Sequence, residues 1–183
     1  MKTGKAKVID HPPEIFTVKQ MRALLSAAPP DILPYLTIGA FAGLRPAEIG
    51  RLDWSEVDLK RRLIHIKAIK SKTATRRLVT IEPNLKSWLK PFIRAEGKIT
   101  PPNVRHKVEE ARKRAGIKRW PQNGLRHSYA SYHLARFQDA PALALQMGHT
   151  TTAMLFAHYR EVVTPEDARA YWKIMSSNGV VNN

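Results

Sequence analysis

Gly43-Leu44-Arg45-Pro46-Ala47-Glu48 is the stretch on which the reading of this chain turns. The apolar run before it, from about Asp31 to Ala42, reads as a helix. Gly43 suits the left-handed residue that closes a helix, and Pro46 suits the first turn of the next one. Arg45 is therefore aimed from a tight helix-to-helix junction. Three further short motifs follow in order: Leu125-Arg126-His127-Ser128, Met147-Gly148-His149 and His158-Tyr159-Arg160. Two guanidiniums can brace a phosphate through forked hydrogen bonds, an imidazole can hold one more oxygen, and a phenol is a nucleophile able to store a broken bond as an ester. That chemistry requires no metal, and no cofactor is expected.

Composition points the same way. The 183 residues carry 31 Lys+Arg against 15 Asp+Glu, a formal charge of +16 with a pI near 10.4. Such a balance suits a polyanion, with counterion release making nucleic-acid binding strongly salt-dependent. The length suits one compact domain. Without cysteine there is neither a disulfide scaffold nor a thiolate metal site, and a reducing intracellular setting is the simpler expectation. The apolar stretch Ile32 to Leu44 is broken by Pro34 and Gly39 and is too short to span a bilayer. Met1-Lys2-Thr3-Gly4-Lys5 leads into no apolar signal core, so a soluble cytoplasmic protein with no membrane partner is expected.

Working outward, residues 1–15 read as a linker, the fold proper runs over 16–175, and 176–183 read as a flexible tail. Thr17 and Gln20 have capping-box spacing for a helix that Pro29-Pro30 stops. From Val57 to Ile81 the period becomes two, and a hairpin or three-strand meander is predicted, with Lys70 to Arg77 as a charged turn. Helices are predicted over Asn84 to Ala95, Asn103 to Ala115 and Gly124 to Phe137. Further helices run from Asp139 to Gly148, from Thr152 to Ala157, and from Thr164 through Met175. The expected class is mainly α with a small antiparallel β-sheet, an α+β domain.

The ordered motif series resembles the catalytic domain of the tyrosine recombinases, the phage integrase family, over about Phe16 to Met175. The resemblance implies their DNA breaking-rejoining fold. It makes Arg45 a catalytic arginine and Glu48 a supporting acid. It also implies a lysine on the hairpin turn, for which Lys72 is the better match and Lys70 the fallback. Arg126 is the second phosphate-bracing arginine. Asn123 stands where the family usually has histidine; its amide can donate a hydrogen bond but cannot titrate as a base, and a plain helix cap is the other reading of it. His127 is expected to pack or to support the site from behind. His149 falls in the Leu-Gly-His box, and Tyr159, ten residues on, is the nucleophile by that spacing. Tyr129, Tyr132 and Tyr171 read as core or surface residues.

What the resemblance implies is attack by Tyr159 on one strand of double-stranded DNA, giving a 3′-phosphotyrosyl link and a free 5′-hydroxyl. Arg45, Arg126 and His149 would stabilise the added charge and Lys72 would protonate the leaving oxygen, without ATP or metal. Phosphate contacts are expected from Lys67, Lys70, Arg76, Arg77, Arg105, Lys107, Arg112 and Lys113. Relatives carry an additional N-terminal DNA-binding domain and assemble as tetramers on DNA. This chain begins where that domain would end, and as a fragment it could be a monomer of bacterial or phage origin. Alternatives are a type IB topoisomerase-like activity, a catalytically attenuated DNA-binding module, and a helical RNA-binding protein.

Overall fold

The structure, a computed structural model, describes residues 13–68, 76–149, 152–153, 155, 159 and 163–176. Helix α1 (Val18–Ala27) starts at the predicted capping box: Gln20 N donates to Thr17 Oγ1 at 3.1 Å and Thr17 N to Gln20 Oε1 at 2.9 Å. Its end at extended Ala28 precedes the Pro29-Pro30 pair. A single 3-10 turn, Pro30–Ile32, then leads into α2 (Leu33–Ala42), so the segment predicted as one helix from Asp31 changes pitch near Pro34. Helix α2 is buried on every side, which is what a helix apolar all round must be. It packs between α4 (Pro83–Leu89) and α6 (Gly124–Phe137). Thr37, its polar residue at depth, is satisfied by donating to Leu33 O at 2.7 Å.

After α3 (Pro46–Arg51) comes a three-strand antiparallel meander of β1 (Val57–Asp58), β2 (Leu63–Ile66) and β3 (Arg77–Thr80). Ile64 pairs with both Val57 and Val79, and these residues with Ile66 form the buried face. The period-two reading was sound.

Helix α4 stops at Leu89, six residues before the predicted end at Ala95, and closes with a 3-10 turn, Lys90–Phe92. Pro91 lacks the N–H that a further α-turn would need. Helices α5 (Val104–Arg114), α6 and α7 (Ala140–Met147) lie within a residue or two of expectation. The last helix, α8 (Pro165–Trp172), ends before Met175 because the chain beyond it docks sideways: Trp88 Nε1 donates to Ile174 O at 3.0 Å. Tyr132 stacks on Tyr171 at 3.8 Å, and the Tyr171 hydroxyl donates to Ala40 O at 2.7 Å, so both are core residues.

Ile15 packs on the core, Glu14 pairs with Arg119 at 3.1 Å, and the Phe16 backbone is clamped by Ser128 Oγ at 2.9 Å and the Tyr132 hydroxyl at 3.0 Å. Among the described residues no helix is long and apolar enough to cross a membrane.

Candidate active site

Gly43 closes α2 in the left-handed region, φ 67°, where an added Cβ would lie 2.2 Å from Tyr129 Cδ1. Only glycine fits there, and the turn it makes delivers Arg45 in extended conformation at the start of α3. The Arg45 backbone N–H donates to Glu48 Oε2 at 2.8 Å, while its guanidinium, about half exposed at 48%, lies 3.5 Å from Glu48 Oε1. Glu48 is gripped a second time: Arg77 Nη1 and Nη2 reach its two oxygens at 2.8 and 2.9 Å. Burial works to raise the Glu48 pKa, but the Arg77 fork, the Arg45 N–H and the charges of both arginines outweigh it and hold the carboxyl below its ordinary value.

Arg126 lies in the first turn of α6 and is buried, 5% exposed. Its Nη1 donates to Gly43 O at 2.5 Å and its Nη2 to Met147 O at 2.7 Å. Both acceptors stand at helix C-termini, those of α2 and α7, where carbonyls lack intrahelical partners and the helix dipole is negative. Two orphan carbonyls thus fix one guanidinium. Burial first, then the charge of Arg45, lowers the Arg126 pKa to about 10, with Glu48 opposing the shift. The group stays cationic at neutral pH.

His149 follows Gly148, which leaves α7 with φ 68°, and the His149 N–H donates to Ala144 O at 2.9 Å. Its Nε2 is 3.2 Å from Arg126 Nη2. A guanidinium can only donate, so Nε2 accepts and the ring proton sits on Nδ1. That Nδ1 is buried and has no hydrogen-bond partner among the described residues. Burial first, then Arg126, Arg45, Arg77 and His127, lowers the His149 pKa to about 4. His149 is therefore a neutral hydrogen-bond donor in a cationic site.

Tyr159, helical and 6% exposed, belongs to a small apolar cluster with Tyr129, Leu143, Met147 and Leu155. Burial raises its phenol pKa while Arg126 opposes the shift. Its hydroxyl is 2.6 Å from His127 Nδ1. His127, expected to pack or support the site from behind, thus touches the proposed nucleophile itself. Asn123 is the N-cap residue of α6, with left-handed backbone, φ 52°, and it caps through its carbonyl, which accepts from the His127 N–H at 2.9 Å, rather than through its side chain. Asparagine is among the few residues that tolerate this conformation. Asn123 lines a recess of about 50 Å³ with Tyr35, Pro46, Trp120 and Arg126.

Two of the arginines expected to contact phosphate are engaged by acceptors within the protein. Arg77 spends its guanidinium on Glu48 and, through Nε at 2.7 Å, on Gln146 O, leaving its side chain 10% exposed. Arg112 forks onto Glu109 and donates to the carbonyls of Ile117 and Lys118, bracing the turn after α5. Lys107 is paired with Asp31, and Lys67 with Glu56 at 2.9 Å. Arg76, Arg105 and Lys113 are exposed. Lys70 and Lys72 lie outside the described residues. The sequence reading passed over Gln146, whose side chain accepts from Thr80 N at 3.0 Å and whose carbonyl holds Arg77; nothing in its flanking residues marks it. Among the described residues no cluster of three or more His, Asp or Glu could hold a metal.

Arg126 thus meets His149, and His127 meets Tyr159, where the ends of α2 and α7 face α6. The phage integrase family profile matches residues 14–165, and the chain belongs to that family. It is 30% identical over 158 residues to the tyrosine recombinase XerA of Thermococcus onnurineus, covering 75% of this chain and 55% of that protein. The chain thus spans about half the length of that relative. Among solved structures, it shares the fold of a XerA recombinase (TM-score 0.70, 19% identity, 87% of this chain and 64% of that one). It likewise shares the fold of the catalytic domain of bacteriophage HP1 integrase (TM-score 0.66, 22%, covering 79% and 85%). The integrase of transposon Tn1549, in complex with transposon right end DNA, also has it (TM-score 0.64, 16%, covering 90% and 66%). These likenesses bear out the expected mainly helical fold with its small antiparallel sheet.

Proposed function

We propose that residues 16–175 form the catalytic domain of a site-specific recombinase that cuts and rejoins double-stranded DNA through an ester on Tyr159. The observation that carries this reading is the convergence of Arg126, His149 and the Tyr159–His127 pair, with Arg45 held beside them by Glu48. Family membership, the net charge of +16 and the DNA-bound Tn1549 integrase support DNA as the partner.

In this reading Tyr159 Oη attacks the scissile phosphorus in line with the 5′-oxygen. Arg45, Arg126 and the Nδ1–H of His149 then receive the charge that grows on the non-bridging oxygens. Donors fixed in advance and shielded from water are worth most here, and removing one such donor typically costs about 10² to 10³ in rate. Lys72 protonates the departing 5′-oxygen. The ester conserves the bond energy, so attack by another 5′-hydroxyl reseals a strand without ATP; guanidiniums supply the positive charge, so the reaction runs without metal. In a longer protein the domain works within a tetramer on DNA.

The test is covalent capture on nicked duplexes from a randomised library, in the presence of EDTA and without ATP. Wild type should form a protein–DNA ester that Tyr159→Phe does not; equal capture by both proteins overturns the assignment, and a requirement for magnesium overturns the metal-free mechanism.

A further inference from the structure

We propose that His127 is the proton acceptor for Tyr159, taking the phenolic proton on Nδ1 as the tyrosyl ester forms. The inference rests on the recombinase reading above and adds to it the group that activates the nucleophile.

Geometry selects His127 from its neighbours. Its Nδ1 stands 2.6 Å from Tyr159 Oη, within the reach a general base needs. Arg126 can only donate and is committed to two carbonyls. His149 has Nε2 turned to Arg126. Glu48 is filled by Arg77 and the Arg45 N–H. Asn123 has no basic atom. His127 follows Arg126 on a rigid helix whose first turn is closed by the His127 N–H bond to Asn123 O at 2.9 Å. Successive helical residues point about 100° apart, so one turn of α6 aims a phosphate-bracing group at the helix ends and a base at Tyr159.

The direction of the shared proton follows from the phenol. Burial holds Tyr159 protonated, so its O–H donates, Nδ1 accepts, and the resting ring of His127 carries its proton on Nε2. When Oη bonds to phosphorus, the phenolic proton passes to Nδ1. The bond from phosphorus to O5′ breaks with its electron pair, and O5′ takes a proton from the Lys72 ammonium. Rejoining returns both protons. The imidazolium so formed lies within electrostatic reach of His149, and the arriving phosphate anion balances its charge.

Two measurements test this. The first needs no DNA: nitrogen-15 NMR of the histidine rings should show His127 neutral with the proton on Nε2, and its Nδ1 resonance should move in Tyr159→Phe. A proton on Nδ1, or no change in that variant, overturns the proton path while leaving the recombinase reading intact. The second uses the duplex captured by wild type. His127→Ala, folded by circular dichroism, should form the ester about 10²- to 10⁴-fold more slowly and regain rate with added imidazole. His127→Gln should stay slow although it can hydrogen-bond Tyr159. A wild-type rate in either variant, or a slow His127→Ala that imidazole leaves unchanged, overturns the assignment. Absence of any ester with wild type removes the recombinase reading and this inference together.

Discussion

Arg77 sets its two Nη atoms on the two oxygens of Glu48, at 2.8 and 2.9 Å, and closes a ring of bonds around the site. Its Nε holds Gln146 O; the adjacent Met147 O holds Arg126; Arg126 holds Gly43 O; and two residues on, the Arg45 N–H returns to Glu48. The ring joins α2, α3, β3, α6 and α7. Breaking a buried forked pair on one side leaves an uncompensated charge and costs about 3 to 5 kcal/mol. Arg77→Met should therefore lower urea-derived stability by about that amount and slow ester formation through a misplaced Arg45. Arg77→Met combined with Glu48→Gln should cost less than the sum of the two changes; additive losses would contradict the pairing.

Acid should report on the same carboxylate. The folded pKa of Glu48 lies below its ordinary 4.5, so its contribution is present above that value and fades as pH falls through the lower folded pKa. Wild type should lose stability below about pH 4.5, and Arg77→Met should show a shallower loss across the same range. Chemical denaturation at successive pH values measures both slopes.

Much of this was legible in the sequence because it is local. Thr17 with Gln20, Gly43 before Pro46, and Gly148 after Met147 each state an element boundary within a few residues. The α4 end was missed because Phe92 and Ile93 continue the apolar run past Pro91. The partners of cations were not legible. Arg77 and Arg112 read as loose positive charge, since a sequence shows no sign that Glu48, 29 residues away, or the carbonyls of Ile117 and Lys118 will use them. His127 was discounted for its adjacency to Arg126; the turn of α6 that separates their directions is what brings it to Tyr159.

His149 gives a second pH window. Its folded pKa of about 4 lies below the ordinary 6.5, so the unfolded chain binds the proton first and stability should fall as pH drops from about 6.5 to 4. Buried His133, also lowered to about 4 by desolvation, acts in the same window. NMR should find the His149 ring neutral down to about pH 4. Ester formation should accordingly show no inflection from His149 near 6.5. His149→Gln, which keeps a neutral donor, should retain more activity than His149→Leu.

Gly43 is constrained twice, by φ 67° and by Tyr129 Cδ1 at 2.2 Å from the position of a Cβ. Left-handed backbone costs a non-glycine residue roughly 1 kcal/mol, and overpacking adds about 1 to 3. Gly43→Ala should lower the thermal midpoint by several degrees and displace Gly43 O from Arg126. Trimming the clash with Tyr129→Leu should recover only part of the loss, because the backbone term remains; full recovery would show that φ is not limiting.

Arg126 separates bracing from charge. Lysine keeps the cation but has a single nitrogen, so it cannot hold Gly43 O and Met147 O as a planar fork while facing His149 Nε2. Arg126→Lys should fold, because one carbonyl can still be bonded, yet form the Tyr159 ester about 10²- to 10³-fold more slowly, with DNA affinity little changed. Arg126→Ala leaves both carbonyls buried without a donor, at about 1 to 3 kcal/mol each, and should lose stability as well as rate. Equal stability of the lysine and alanine variants would mean that the helix ends do not depend on this guanidinium, and the two-carbonyl account of how Arg126 is aimed would fail.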